Sequence, residues 1–200
     1  MSSKQISEYF DATADRPTRD DLRLAAGLVE GEKIAIDCGC GAGSDIAFLR
    51  SQDFIVHAFD KEEESISRCE KRFKHDAGVH LSQADFNTYN YPDASLIVAD
   101  ASLFFCGQDE FDQVWHSITN ALLPKGIFCG SFLGPEDTMA GADYDKAAYW
   151  PDVLVLSEAQ VKHVFKAYEI ESFIEHRSSG HTPDGKAHQW HIFSVVAKRY

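Results

Sequence analysis

The chain is short of positive charge. It has 19 Lys and Arg against 32 Asp and Glu, a formal net charge of −13 in 200 residues. Binding to nucleic acid or to anionic membrane draws on Lys and Arg, so RNA, DNA and lipid surfaces are not expected partners. The one basic cluster, Lys71-Arg72 with Lys74, follows the acidic run Glu62-Glu63-Glu64 and reads as a solvated helix face. No apolar run approaches the roughly 20 residues of a membrane span. The polar first nine residues lack the apolar centre of a secretion signal, so a cytoplasmic location is the expectation. The five cysteines (38, 40, 69, 106 and 129) include no C-x-x-C pair. An odd number without that spacing suggests buried, reduced thiols rather than a disulfide framework or a metal site. Repeats, low-complexity stretches and linkers are also missing, so one domain over residues 1–200 is expected.

What is present is an alternation of short apolar runs with helical stripes. Strands are expected at residues 33–38, 54–59, 79–82, 95–99 and 127–133. Helical periodicity falls between them, most clearly in Phe111, Val114, Trp115, Ile118 and Leu122. This pattern calls for a mostly parallel sheet covered by helices on both faces. Ser157 and Gln160 predict a capping box for a further helix. Residues 168–175 and 189–197 read as two strands around a loop containing Pro183-Asp184-Gly185. No helix fits between them, so the last strand should run antiparallel.

The first strand ends in Asp37-Cys38-Gly39-Cys40-Gly41-Ala42-Gly43-Ser44. Glycines so close together let a large ligand lie against the backbone. A dinucleotide fingerprint, G-x-G-x-x-G, would need glycine where Ser44 stands, and an anionic pyrophosphate gains nothing from Asp37. A ligand with a cationic amine or sulfonium does.

In these residues the chain resembles the class I S-adenosylmethionine-dependent methyltransferases, whose first strand ends in [D/E]-x-G-x-G-x-G. Asp60, 17 residues after Gly43, matches the acid that binds the cofactor's ribose. Asp85 with Phe86 matches the adenine position, and Asp100-Ala101-Ser102 the methionine end. Residues 123–127 are similar to the family's L-x-P-G-G segment, with Lys125 in place of a glycine. The resemblance implies a Rossmann-like sheet of seven strands with an antiparallel last strand, and S-adenosylmethionine as cofactor. It implies a cofactor set of Asp37, Gly39, Cys40, Gly41, Gly43, Asp60, Lys61, Asp85, Phe86, Asp100 and Ser102. A narrower likeness, to small-molecule methyltransferases of the tellurite-resistance type, rests on Asp60-Lys61, Asp184-Gly185-Lys186 and the end of the last strand.

The expected partner is a small-molecule methyl acceptor, bound by a monomer or homodimer. Its wall should come from the helical leader (residues 1–30: Tyr9, Phe10, Arg16, Arg19), from Phe104-Phe105-Cys106, and from an insert at 134–156 carrying Tyr144, Tyr149 and Trp150. His188 and His191 point to opposite faces of a strand, which spoils a chelating pair, and no metal is expected. Either could accept a proton or touch substrate. No residue identifies itself as an obligatory base, because methyl transfer to a reactive acceptor needs mainly positioning and water exclusion. Two other readings stand beside this one: a nicotinamide-dependent oxidoreductase on a related sheet, and a non-catalytic S-adenosylmethionine-binding protein.

Overall fold

The computed structural model describes residues 3–145, 152–182 and 185–200, with the side chains of residues 3–5 left aside. Seven strands form one sheet: β1 (Ile34–Cys38), β2 (Ile55–Asp60), β3 (Val79–Gln83), β4 (Ala94–Ala99), β5 (Leu122–Leu133), β6 (Tyr168–His181) and β7 (Ala187–Arg199). Their spatial order is β3-β2-β1-β4-β5-β7-β6. Neighbours among β1 to β5 pair in parallel, whereas β7 is antiparallel to both β5 and β6. The central strand β4 is buried along its whole length, as expected of a strand covered on both sides.

Alternate residues feed two cores. Ile36, Ile97, Phe128 and Phe132 pack with Val114 and Ile118 of α5 (Phe111–Ala121), and with Val161 of α6 (Glu158–Val164). On the other face Ala35, Val56, Leu96 and Val98 pack with residues of three helices. These are Leu22 and Ala25 of α2 (Asp20–Leu28), Ile46 and Leu49 of α3 (Ser44–Ser51), and Cys69 of α4 (Glu63–Arg72). The leader also forms α1 (Ser3–Thr13). All five cysteines are buried and unpaired. The expected capping box is present: the Ser157 hydroxyl accepts from the Gln160 N–H, and the Gln160 side chain accepts from the Ser157 N–H.

Three expectations need correction. The fifth strand begins at Leu122, directly after α5, and carries Pro124-Lys125-Gly126 inside it. Lys125 takes φ 63°, the left-handed conformation that a glycine adopts freely. The closing hairpin is longer than its apolar pattern suggests. β6 and β7 stay paired out to His181 and Ala187, whereas β5 ends its pairing where Leu133 meets Ile192. The tip therefore projects past the rim of the sheet. Its outer residues are polar, so backbone pairing extends where side-chain alternation gives no signal. Finally, the cluster on α4 is not wholly solvated. Arg72 donates to the Ala14 and Ala42 carbonyls, and Arg68 pairs with Asp11 of α1 at 2.7 Å, so this helix holds the leader.

Candidate cofactor and acceptor site

Parallel strands leave a crevice beyond their carboxyl ends, and here it opens into a cavity of about 1350 Å³. Single small-molecule sites run to roughly 300–1,000 Å³, so this volume has room for a cofactor and a second molecule. Its floor is the glycine run. Gly39 and Cys40 both donate their N–H to the Phe59 carbonyl, at 2.8 and 3.0 Å. Gly41 donates to Asp60 Oδ2 at 2.9 Å, and Gly43 to the Cys40 carbonyl at 2.9 Å. These four donors are thus engaged within the protein. A phosphate site at a helix N-terminus needs such groups aimed outward, so the loop is poorly suited to a pyrophosphate.

Two of the glycines answer to protein packing. A Cβ on Gly39 would lie 2.6 Å from Ser102 Cβ, and one on Gly43 2.9 Å from the Phe73 ring. Gly41 is different: an added Cβ would make only ordinary contact with the Phe10 ring, at 3.8 Å, and the residue lines the cavity.

Asp60, at the end of β2, is almost fully buried and lines the cavity. It accepts from Gly41 N and from Glu62 N, which fixes the carboxylate at the rim. Asp85 lies beyond β3 with Oδ1 accepting from the Asn87 and Thr88 N–H groups and the Thr88 hydroxyl. The hydroxyl's hydrogen bond leads in holding its carboxyl below the ordinary range. Beside it Phe86 packs edge-on against Phe59, centroids 5.3 Å apart, and Tyr91 donates to the Phe86 carbonyl at 3.0 Å.

Acids crowd the rim at β1 and β4. Asp37 is buried and its Oδ2 has no hydrogen-bond partner. Burial first, then Asp45, pushes its carboxyl well above the usual range. Arg19 lies 2.9 Å from Asp45, 2.9 Å from Asp21 and 3.1 Å from Asp100. Burial disfavours its charge, but Asp100 and Asp45 outweigh that and keep it cationic. Arg16 approaches Asp45 and Asp100 at 3.6 and 3.7 Å and donates to Ser44 Oγ at 3.1 Å. Four carboxyl groups thus face two guanidinium groups, an arrangement that favours a ligand carrying positive charge. Ser102 donates to the Cys38 carbonyl at 2.6 Å.

The cavity brings together Gly39, Cys40, Gly41, Asp60, Lys61, Asp85, Phe86, Asp100 and Ser102, with Tyr9, Arg16, Phe105 and His188. Asp37 and Gly43 lie beneath its wall and not in it. Burial, then the nearby Asp100, Asp60 and Asp45 working against Arg16, raises the Tyr9 phenol. Burial pushes the Cys106 thiol up to about 12, which keeps it protonated and unreactive at neutral pH. Trp150 and Tyr149 lie outside the described residues.

His191 does not line the cavity. Its ring is buried, accepts from the Glu136 N–H at Nδ1 (3.0 Å) and contacts Glu175 through Nε2 (2.8 Å). A proton-accepting role toward substrate is closed to it, because both nitrogens are engaged. Two contributors went unnoticed in the sequence. Asp45 carries only the weak signal of an acid in a first helical turn, and Asp137 carries none. Among the described residues no group of His, Cys, Asp and Glu has the arrangement of a metal site, and no helix is long and apolar enough to cross a membrane.

The strand order is that of the class I methyltransferase fold, and the glycine floor and the acid at the end of β2 make its rim a candidate nucleoside site. Residues 35–126 match the family model described as a methyltransferase domain. The chain is 26% identical over 111 residues to carboxy-S-adenosyl-L-methionine synthase of Vibrio atlanticus, covering 52% of this chain and 46% of that relative. The match thus spans about half the relative's length. TehB from Haemophilus influenzae shares the fold with a TM-score of 0.76 at 14% identity, over 98% of this chain and 67% of that one. So does 1,6-didemethyltoxoflavin-N1-methyltransferase of Burkholderia thailandensis, with 1,6-didemethyltoxoflavin and S-adenosylhomocysteine bound (TM-score 0.63, 14% identity, 98% and 86% covered).

Proposed function

We propose that this protein transfers the methyl group of S-adenosylmethionine to a small molecule bound in the part of the cavity beyond Asp100. The observation that carries the reading is the glycine run. Its N–H groups turn inward to Phe59, Asp60 and Cys40, while at the rim the acids outnumber the two guanidinium groups they face. Such a site suits a nucleoside with a cationic tail. Asp60 would take the ribose hydroxyls in a charge-assisted pair, with Lys61 beside it. Phe86 and Asp85 would flank the adenine. Gly39, Cys40 and Gly41 would carry the methionine portion, with Asp37 and Gly43 supporting them from below and Asp100 and Ser102 bordering it.

When bound, the cofactor supplies an electrophilic methyl carbon on sulfur. The residues of this chain position the acceptor and exclude water. Tyr9 and Arg16 of the leader, Phe105, and the tip of the β6–β7 hairpin surround the remaining space. The 1,6-didemethyltoxoflavin bound by one structural neighbour is a small molecule, and the cavity's apolar walls suit an acceptor of that size. Buried reduced thiols fit a reducing, cytoplasmic setting.

The test is methyl transfer from labelled S-adenosylmethionine to a panel of phenols, N–H heterocycles, thiols and carboxylates, with melting curves for each nucleotide. Stabilisation by S-adenosylmethionine and S-adenosylhomocysteine with label in one acceptor class is expected. Binding without transfer to any member would support a non-catalytic binding protein instead. Stabilisation by NAD or NADP alone would overturn the reading.

A further inference from the structure

The rim of the sheet runs from Asp60 at β2, past Gly39 at β1 and Asp100 at β4, to the end of β5 and the projecting start of β7. At that far end stands a carboxylate–imidazole pair. Asp137 follows β5 and has no solvent-exposed side-chain surface; His188, near the start of β7, is about one-tenth exposed and lines the cavity. His188 Nε2 lies 3.1 Å from Asp137 Oδ1. The carboxylate is held in turn by the Met139 N–H on Oδ1 and the His191 N–H on Oδ2, each at 2.9 Å. The His188 ring also packs on Trp190, centroids 4.7 Å apart. The imidazole is therefore fixed in place and direction by groups that have no contact with the cofactor's rim.

We propose that His188, oriented by Asp137, is the general base of the methyl transfer, and that the acceptor is a weakly acidic O–H or ring N–H on a flat, largely apolar molecule. This rests on the methyltransferase reading above. An ionised Asp137 accepting from Nε2–H selects the tautomer whose lone pair is on Nδ1. That nitrogen has no hydrogen-bond partner among the described residues. In the reaction the acceptor's O–H or N–H bond breaks and its proton goes to His188 Nδ1. The electron pair left on the heteroatom forms the bond to the methyl carbon, while the carbon–sulfur pair departs with sulfur. The resulting imidazolium is stabilised by Asp137 and later gives its proton to water.

The acceptor's body is inferred from the walls around the pair: Phe104, Phe105, Leu133, Met139, Trp190 and Ile192. An apolar, aromatic lining suits a flat neutral molecule, and a neutral O–H or N–H is a poor nucleophile until its proton is removed. The other titratable groups lining the cavity from these segments are His176 of β6, Lys186 of the hairpin loop, and Asp143, Tyr144 and Asp145 after β5. None of them has a hydrogen bond to His188.

The test uses the full chain saturated with S-adenosylhomocysteine and labelled with ¹⁵N-histidine, with a simple phenol as acceptor probe in parallel assays. The expected spectrum shows the neutral His188 ring protonated at Nε2. Asp137→Asn should lose that single-tautomer signature, an effect that loss of packing would not produce. His188→Asn should reduce kcat/KM for the phenol at least about 100-fold and abolish the fall on the acid side of its pH profile. Its S-adenosylhomocysteine affinity should stay within about twofold, since His188 is remote from Asp60 and the glycine run. A proton on Nδ1, or a His188→Asn rate equal to that of the unchanged protein, would overturn the proposal. Failure of the unchanged protein to bind S-adenosylhomocysteine would instead sink the underlying methyltransferase reading.

Discussion

Gly39→Ala measures how much of the glycine run is required by the protein itself. Gly39 has φ 76°, and a Cβ there would fall 2.6 Å from Ser102 Cβ and 3.2 Å from its hydroxyl. The left-handed backbone alone costs an alanine about 1–2 kcal/mol. Ser102 would have to move, and its 2.6 Å hydrogen bond to the Cys38 carbonyl would be lost at about 1 kcal/mol. Crowding in a packed site adds roughly 1–3 kcal/mol. The sum is about 3–6 kcal/mol, a large part of the roughly 5–15 kcal/mol that holds a typical domain folded. At about 2–4 °C per kcal/mol for a chain of this size, the melting temperature should fall by roughly 6–24 °C. Gly31 is the control, with φ 87° and nothing within 4 Å of an added Cβ. Its alanine variant should show the backbone cost only, about 1 kcal/mol. Urea unfolding of both variants, alone and with Ser102→Gly, separates the contributions. If the two alanine variants lose the same stability, or if Ser102→Gly gives Gly39→Ala no relief, the packing explanation fails.

Asp37→Asn should leave the protein without cofactor as stable as before, or more so by up to about 3 kcal/mol at pH 8, because it removes an unpaired buried charge. Since burial and Asp45 raise the folded-state carboxyl, its contribution is fully present below the ordinary carboxylate range and is lost as pH rises through the higher folded value. The variant should lose that slope in melts from pH 5 to 8 and bind S-adenosylmethionine at least about tenfold more weakly if Asp37 supports the cofactor's cationic end. Asp60→Ala removes a charged acceptor worth about 1.5–3 kcal/mol per hydrogen bond, so calorimetry should show S-adenosylhomocysteine affinity falling by about two orders of magnitude. Unchanged affinity would take Asp60 out of that role. Lys125→Gly should raise stability by up to about 1 kcal/mol by relieving the left-handed lysine, read as a higher melting temperature.

The parallel half of the fold was legible because each strand is a continuous apolar run and each helix a stripe. The glycine floor of the cavity was legible because a tight turn leaves glycines in the sequence. Asp60 and Asp85 stand out as acids directly after strands. Asp137 does not, since its importance comes from His188 and His191, more than 50 residues away. The polar hairpin tip was equally hidden, being held by backbone pairing that has no residue code. His191 misled because a histidine beside a rim reads as functional until its two nitrogens are seen to be engaged, one by the Glu136 N–H and one by Glu175. Gly43 is a milder case. Its place in the motif suggested ligand contact, whereas the structure sets it against Phe73 and Cys69 of the α4 region.

The central claim is that the glycine run and the acid-rich rim select a cationic nucleoside over a pyrophosphate. Calorimetric titration of the full chain with S-adenosylhomocysteine, S-adenosylmethionine, NAD and NADP tests it most directly. One site per chain for the two sulfur nucleosides, and no heat from the dinucleotides, is the predicted result. Saturable binding of NAD or NADP with none of either sulfur nucleoside would contradict it.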